Sequence, residues 1–137
     1  MSTSGYSGTP LLNKLGIKPA MHVLLINAPD NYYALLENDI SKQRCKSTET
    51  PDLIHLFVKS EKEFETEMKK LKPLIKKNTE VVIWVSWYKK AAKMVTDITE
   101  DTIRNYALKN ELVDIKVCAV SDIWSGLKLV VPKNLRK

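Results

Sequence analysis

Hydrophobic positions along the chain follow two rhythms. Three runs are continuous and apolar: Val23, Leu24, Leu25 and Ile26 after His22; Leu53 to Val58, broken only by His55; and Val81 to Val85, continuing through Ser86 to Trp87. Runs of this length without alternation predict strands covered on both faces, as in a parallel sheet sandwiched by helices. Between them the spacing turns helical, with Phe64, Met68 and Leu71 in one segment and Ile103, Tyr106 and Ala107 in another. Ser60 with Glu63 predicts a capping box for the first, and Pro73 is expected to end or bend it. Thr99, followed by Glu100 and Asp101, predicts the start of the second.

Two shorter helices are also predicted. Thr9 and Pro10 open one over residues 11–15, closed by Gly16, and Asp30 is expected to cap another through Tyr32, Tyr33, Leu35 and Leu36. Residues 41–50 are polar and hold at most one short strand. Residues 113–120 and 127–131 alternate apolar and polar positions across a turn at 121–126, the signature of an antiparallel hairpin. The expected architecture is one compact three-layer α/β domain over residues 1–137, its sheet mostly parallel and ending in that hairpin. Residues 1–8 and 133–137 are expected to be flexible.

At 137 residues the chain is long enough for a core of its own. The formal charge of +6 raises a nucleic-acid reading, which the placement of the lysines weakens. Glu61, Glu63, Glu65 and Glu67 precede Lys69, Lys70, Lys72, Lys76 and Lys77, an order that complements a helix dipole. Nucleic acid is therefore not an expected partner. Cys45 and Cys118 stand far apart with no C-x-x-C spacing, so they read as reduced thiols of a cytosolic protein, with neither a disulfide framework nor a metal site. No apolar run reaches the length of a membrane span, so no membrane partner is expected.

The candidate chemistry gathers at the carboxyl ends of the strands. In open α/β sheets the turn after the first strand cradles phosphates, and glycines let the backbone approach them. Here that turn reads Asn27, Ala28, Pro29, Asp30 and Asn31, and no glycine lies between Gly16 and Gly126. No cofactor is expected, with S-adenosylmethionine or a nucleotide left open. Asn27 and Asp30 are candidate ligand-binding residues, together with Ser86, Trp87, Lys89 and Lys90 at the end of the third strand, all around one concavity. Trp84 and Trp87, three apart on a strand, should face opposite sides. Gly5, Ser7, Gly8 and Thr9 precede a helix start and form either a small anion nest or a flexible lead-in. His22 and His55 read as satisfied strand histidines without a catalytic role. Neither Ser86 nor Ser125 has a nucleophile elbow around it, no carboxylate pair suits a cleft, and nothing calls for a metal.

Several of these residues carry a resemblance. Gly5 to Leu11, Lys14 to Lys18, Val23 to Pro29, Asp52 to Val58, Trp84 to Trp87 with Lys89 and Lys90, and Val113 to Val120 through Trp124 to Lys128 resemble the bacterial domain-of-unknown-function family numbered 3052. Nearly the whole chain is covered. The resemblance implies a cytosolic domain of Rossmann-like architecture, similar to S-adenosylmethionine-dependent methyltransferases. Such enzymes are similar to one another in a glycine-rich first turn and an acidic residue ending the second strand, where this chain has Asn27 to Asp30 and then Lys42, Arg44, Cys45 and Lys46. The chain is thus read as a non-catalytic domain binding a small anionic ligand or a protein partner at the carboxyl edge. A reduced methyltransferase is the alternative and charge-driven nucleic-acid binding the third reading.

Overall fold

The computed structural model describes residues 10–46 and 48–136. The expectations placed on Gly5, Ser7, Gly8 and Thr9, and on the freedom of residues 1–8, lie outside them. The three apolar runs become β1 (Val23–Ile26), β2 (Leu53–Phe57) and β3 (Val82–Tyr88), paired in parallel in that order. The alternating segments become β4 (Val113–Ala119) and β5 (Trp124–Val130), an antiparallel hairpin. The second arm of the hairpin doubles back beside β3, giving the order β1-β2-β3-β5-β4. The sheet is therefore mixed, with as many antiparallel as parallel pairings, and not mostly parallel. Each arm of a hairpin looks alike in sequence, and only the sheet decides which one is covered on both sides.

Helices cover both faces. α1 (Leu11–Leu15) and α2 (Tyr32–Leu36) lie on one, while α3 (Glu61–Lys77) and α4 (Glu100–Lys109) lie on the other. Alternation along β2 follows from the pleat: Leu53 and Phe57 join the core under α1 and α2, and Ile54 and Leu56 join the core under α3 and α4. Trp84 and Trp87 divide between the same two cores, as their spacing requires.

Local signals are mostly obeyed. Gly16 takes the left-handed conformation (φ 78°) that closes α1, and Thr99 caps α4 in a reciprocal box with Thr102. Three expectations change. Asp30 does not cap α2; Asn31 holds that position and no side chain caps the helix. Pro73 lies inside α3, which continues to Lys77 because Leu71 and Leu74 on either side of it are buried against the sheet. Gly126 belongs to β5 and not to the turn, and a Cβ there would stand 3.1 Å from Val120 Cγ2 and 3.3 Å from Trp84 Cε3. After β5 the chain forms a 3-10 turn at Lys133–Leu135, and the Arg136 Nε–H donates to the Val131 carbonyl at 2.8 Å.

At the start of α3, Ser60 Oγ accepts the Glu63 N–H at 3.1 Å, and the Glu63 carboxylate reaches back to the Lys59 N–H at 2.7 Å. The cap thus satisfies one donor at the helix end. Ser60→Ala should lower stability by about 1 kcal/mol in urea unfolding. A loss below a few tenths would show the cap to be inert.

Candidate functional site at the carboxyl edge

The parallel strands end together, so residues 27–31, 58–60 and 89–97 share one rim of the sheet. At the β1 end Asn27 takes a left-handed conformation (φ 57°), the geometry a glycine would supply. Ala28 and Pro29 follow, and Pro29 has no N–H to offer a phosphate. A cavity of about 310 Å³ opens here, lined by Leu25, Ala28, Pro29, Asp30, Tyr32, Tyr33 and Arg44. Arg44 reaches it because its segment touches the outer edge of β1 through a single parallel bridge to Val23, with the Cys45 N–H donating to the Val23 carbonyl at 2.9 Å.

That bridge decides what the cavity can hold. Open α/β sheets bind nucleotides where the strand order reverses, between the first strand and a full strand on its outer side. Here the chain steps out from β1 to Arg44 and returns across it to β2, so the reversal survives as one bridge. An acidic side chain that would hold ribose hydroxyls is replaced at this position by a cation. With no glycine in the first turn and Arg44 beside it, the residues present do not fit a nucleotide or S-adenosylmethionine held in the usual way.

Of the candidate residues, the described lining of the β1 cavity includes Asp30 and none of Asn27, Ser86, Trp87, Lys89 and Lys90. Asp30 lines the β1 cavity; Asn27 is exposed at its rim and is not among the lining residues. The register sets Ser86 on the rung of Phe57, two strands from β1, with Lys89 three residues further along. At ordinary strand spacing this puts Lys89 roughly 10 Å across and 10 Å beyond Asn27, Cα to Cα. Trp87 is buried in the core beneath α3 and α4.

Ser86 is buried by a connection that the sequence did not reveal. Its Oγ meets His55 Nε2 at 2.7 Å, and His55 Nδ1 meets the Tyr32 hydroxyl at 2.8 Å. A hydroxyl, imidazole, hydroxyl series can activate a nucleophile, but Ser86 and His55 are both 0% exposed, so no substrate reaches them. They are satisfied core residues, as expected of His55. The only signal was the presence of two polar residues in otherwise apolar runs.

At the β3 end the rim is formed by a pinned loop. The Lys89 N–H donates to the Ile123 carbonyl at 2.9 Å, Thr96 Oγ1 donates to the Lys59 carbonyl at 2.8 Å, and Asp97 Oδ1 accepts the Glu61 N–H at 2.7 Å. Between these anchors the chain makes a 3-10 turn, Lys90–Ala92, and passes through a left-handed Lys93 (φ 54°). Val95 stands 95% exposed and Met94 45%, with Ile123 41% exposed beside the loop's first anchor. Lys89, Lys90 and Lys93 precede these aliphatic side chains in the loop; the apolar members are not legible in the sequence because a lysine-rich stretch after a strand reads simply as a solvated loop.

Burial pushes the His55 imidazole down from 6.5 to about 3 and raises the Tyr32 phenol. Below pH 6.5 the unfolded chain takes up a proton that the folded chain refuses, so stability falls as pH drops toward 3 and is insensitive to this group above 6.5. The slope is about 1.4 kcal/mol per pH unit. Urea unfolding between pH 7.5 and 5 should show that slope in the wild type and its absence in His55→Gln; parallel curves would mean that His55 is not held neutral by burial.

No family model and no curated protein matches the chain. Solved structures do. A protein of the NADB-Rossmann superfamily from Streptococcus agalactiae superimposes over 92% of this chain and 69% of its own, with a TM-score of 0.55 and 10% identity. An uncharacterised protein from Listeria monocytogenes matches over 91% and 68%, at 0.58 and 9%. The tRNA methyltransferase TrmK of B. subtilis matches over 93% and 68%, at 0.56 and 12%. At such identities the likeness shows the fold, which is Rossmann-like and shared with a methyltransferase.

Proposed function

We propose that this chain is a Rossmann-like binding module that docks an acidic protein partner on the β3 end of its carboxyl edge and transfers no group. The supporting observation is the loop of residues 89–96, pinned at both ends, which projects Met94 and Val95 among Lys89, Lys90 and Lys93 next to Ile123. Exposed aliphatic side chains in the same short loop as three lysines favour a partner that offers an apolar patch bordered by carboxylates. Membership in the uncharacterised bacterial family and a cytosolic location belong to the same proposal. In support of the latter, Cys45 and Cys118 are both free, and no helix among the described residues is long and apolar enough to cross a membrane.

A small anion in the β1 cavity is a second reading, favoured by Arg44, the one cation among its lining residues. Methyl transfer draws support from the fold shared with TrmK and is opposed by the residues of the first turn. Calorimetry with S-adenosylmethionine should detect no binding in the micromolar range, and micromolar binding would restore the methyltransferase reading. Peptides selected from a random display library should carry Asp or Glu around Leu, Ile or Val. Their affinity should fall at least about tenfold with Val95→Asp, and with Lys90 and Lys93 changed together to Ala, while Tm stays nearly constant because these side chains are exposed. Selected peptides that ignore both variants would sink the docking surface.

A further inference from the structure

At the amino edge of the sheet, opposite the carboxyl rim, the core beneath α3 and α4 is open to solvent. A cavity of about 320 Å³ lies there, where both helices end and β3 and β4 begin. Leu112 and Val131, buried members of that core, form its floor, and Ile75 of α3 packs against the same core. Leu112 reaches the floor because Glu111 takes the left-handed conformation (φ 60°) that closes α4, which lets the Leu112 N–H return to the Ala107 carbonyl at 2.9 Å. The 3-10 turn Lys133–Leu135 supplies the outer wall, on which Leu135 is exposed. Four aliphatic side chains thus line a space that water can enter.

Charge around that space is uneven. Lys72 and Lys76 line it from α3, one turn apart, the spacing at which like charges repel. Lys76 lies in the last turn and complements the helix dipole, whereas Lys72 lies before that turn, where the dipole's effect has faded. Among the described residues neither lysine has a carboxylate partner, and Glu111, which lines the cavity from the α4 to β4 connection, pairs with neither. The other polar side chains of the wall are engaged: the Asn110 amide donates to the Tyr106 carbonyl at 2.8 Å, and Thr79 has a partner of its own.

We infer that this cavity binds a small aliphatic carboxylate, with its chain against Ile75, Leu112, Val131 and Leu135 and its head between Lys72 and Lys76. The volume is at the low end for ligand cavities, which suits a compact molecule better than a nucleotide or a peptide. Two lysines against one glutamate leave a single net positive charge at the cavity, which matches a monoanion better than a phosphoryl dianion. Burial of the chain supplies affinity, and the ammonium groups discriminate against uncharged and cationic analogues. The site lies at the other end of the strands from the carboxyl edge, and its failure would leave the docking proposal standing.

The test is isothermal titration calorimetry with hexanoate and octanoate at fixed ionic strength, against hexanol and hexylammonium. At least one carboxylate should bind the wild type, and at least about tenfold more tightly than the alcohol or the amine. In the wild-type protein the methyl resonances of Ile75, Leu112, Val131 and Leu135 should shift with that ligand, while those of Met94 and Val95 at the carboxyl edge should not, a readout that needs no variant to fold. Lys72→Gln and Lys76→Gln together, and Leu135→Asp alone, should each weaken binding at least about tenfold, and Glu111→Gln should strengthen it. Lys69→Gln, on the same helix but away from the cavity, should leave it unchanged. The site would be overturned by a wild type that binds neither carboxylate, by hexanol binding as tightly, by methyl shifts confined to other residues, or by affinity that survives loss of both lysines.

Discussion

His55 sits in the middle of β2, an interior strand of the sheet, with its two ring nitrogens committed, one to Tyr32 of α2 and the other to Ser86 of β3. An imidazole buried without both partners would carry a desolvation penalty of about 1–3 kcal/mol for each orphaned group. This arrangement constrains the face that α1 and α2 cover. Each of those helices has five residues, too few to be stable alone, so tertiary contacts must hold them. Tyr32 anchors α2 through His55, and the Trp84 Nε1–H anchors α1 by donating to the Leu15 carbonyl at 2.9 Å. Around these two polar pins the aromatics interlock: His55 stacks on Phe57, Phe57 meets Trp124 edge-on, and Trp124 stacks on Tyr88.

The same anchors shape the carboxyl edge. Tyr32 belongs both to the buried series and to the wall of the β1 cavity, so the first turn is locked by the core behind it. A cofactor fold needs that turn free to wrap a phosphate. Here Pro29 and Ala28 occupy it, and the outer strand that would complete the crevice is reduced to the Val23 and Arg44 bridge. On the far side of the rim the loop after β3 is held at its ends and exposes Met94 and Val95 between them.

Charge is also partitioned by the fold. Glutamates at the start of α3 and lysines at its end are absorbed by the helix dipole, and Arg104 on α4 is engaged by Glu100, Asp101 and Asp114. Those residues account for themselves. Among the described residues Lys89, Lys90, Lys93, Lys116 and Lys128 have no carboxylate partner.

What the sequence alone determined was local. The apolar runs that become β1, β2 and β3, the caps at Ser60 and Thr99, and the stop at Gly16 were legible because each depends on neighbours within a few residues: side-chain periodicity, an orphan N–H, a positive φ. Sidedness was legible too, since the pleat alone sends Trp84 and Trp87 to opposite faces. Tertiary structure decided the rest. That β5 and not β4 pairs with β3, that Ser86 turns inward to His55, that α3 runs through Pro73, and that Lys116 meets Lys128 all depend on groups far apart in the chain. Such contacts are set by which surfaces can be buried together, and nothing in the spacing of a single segment encodes its partner.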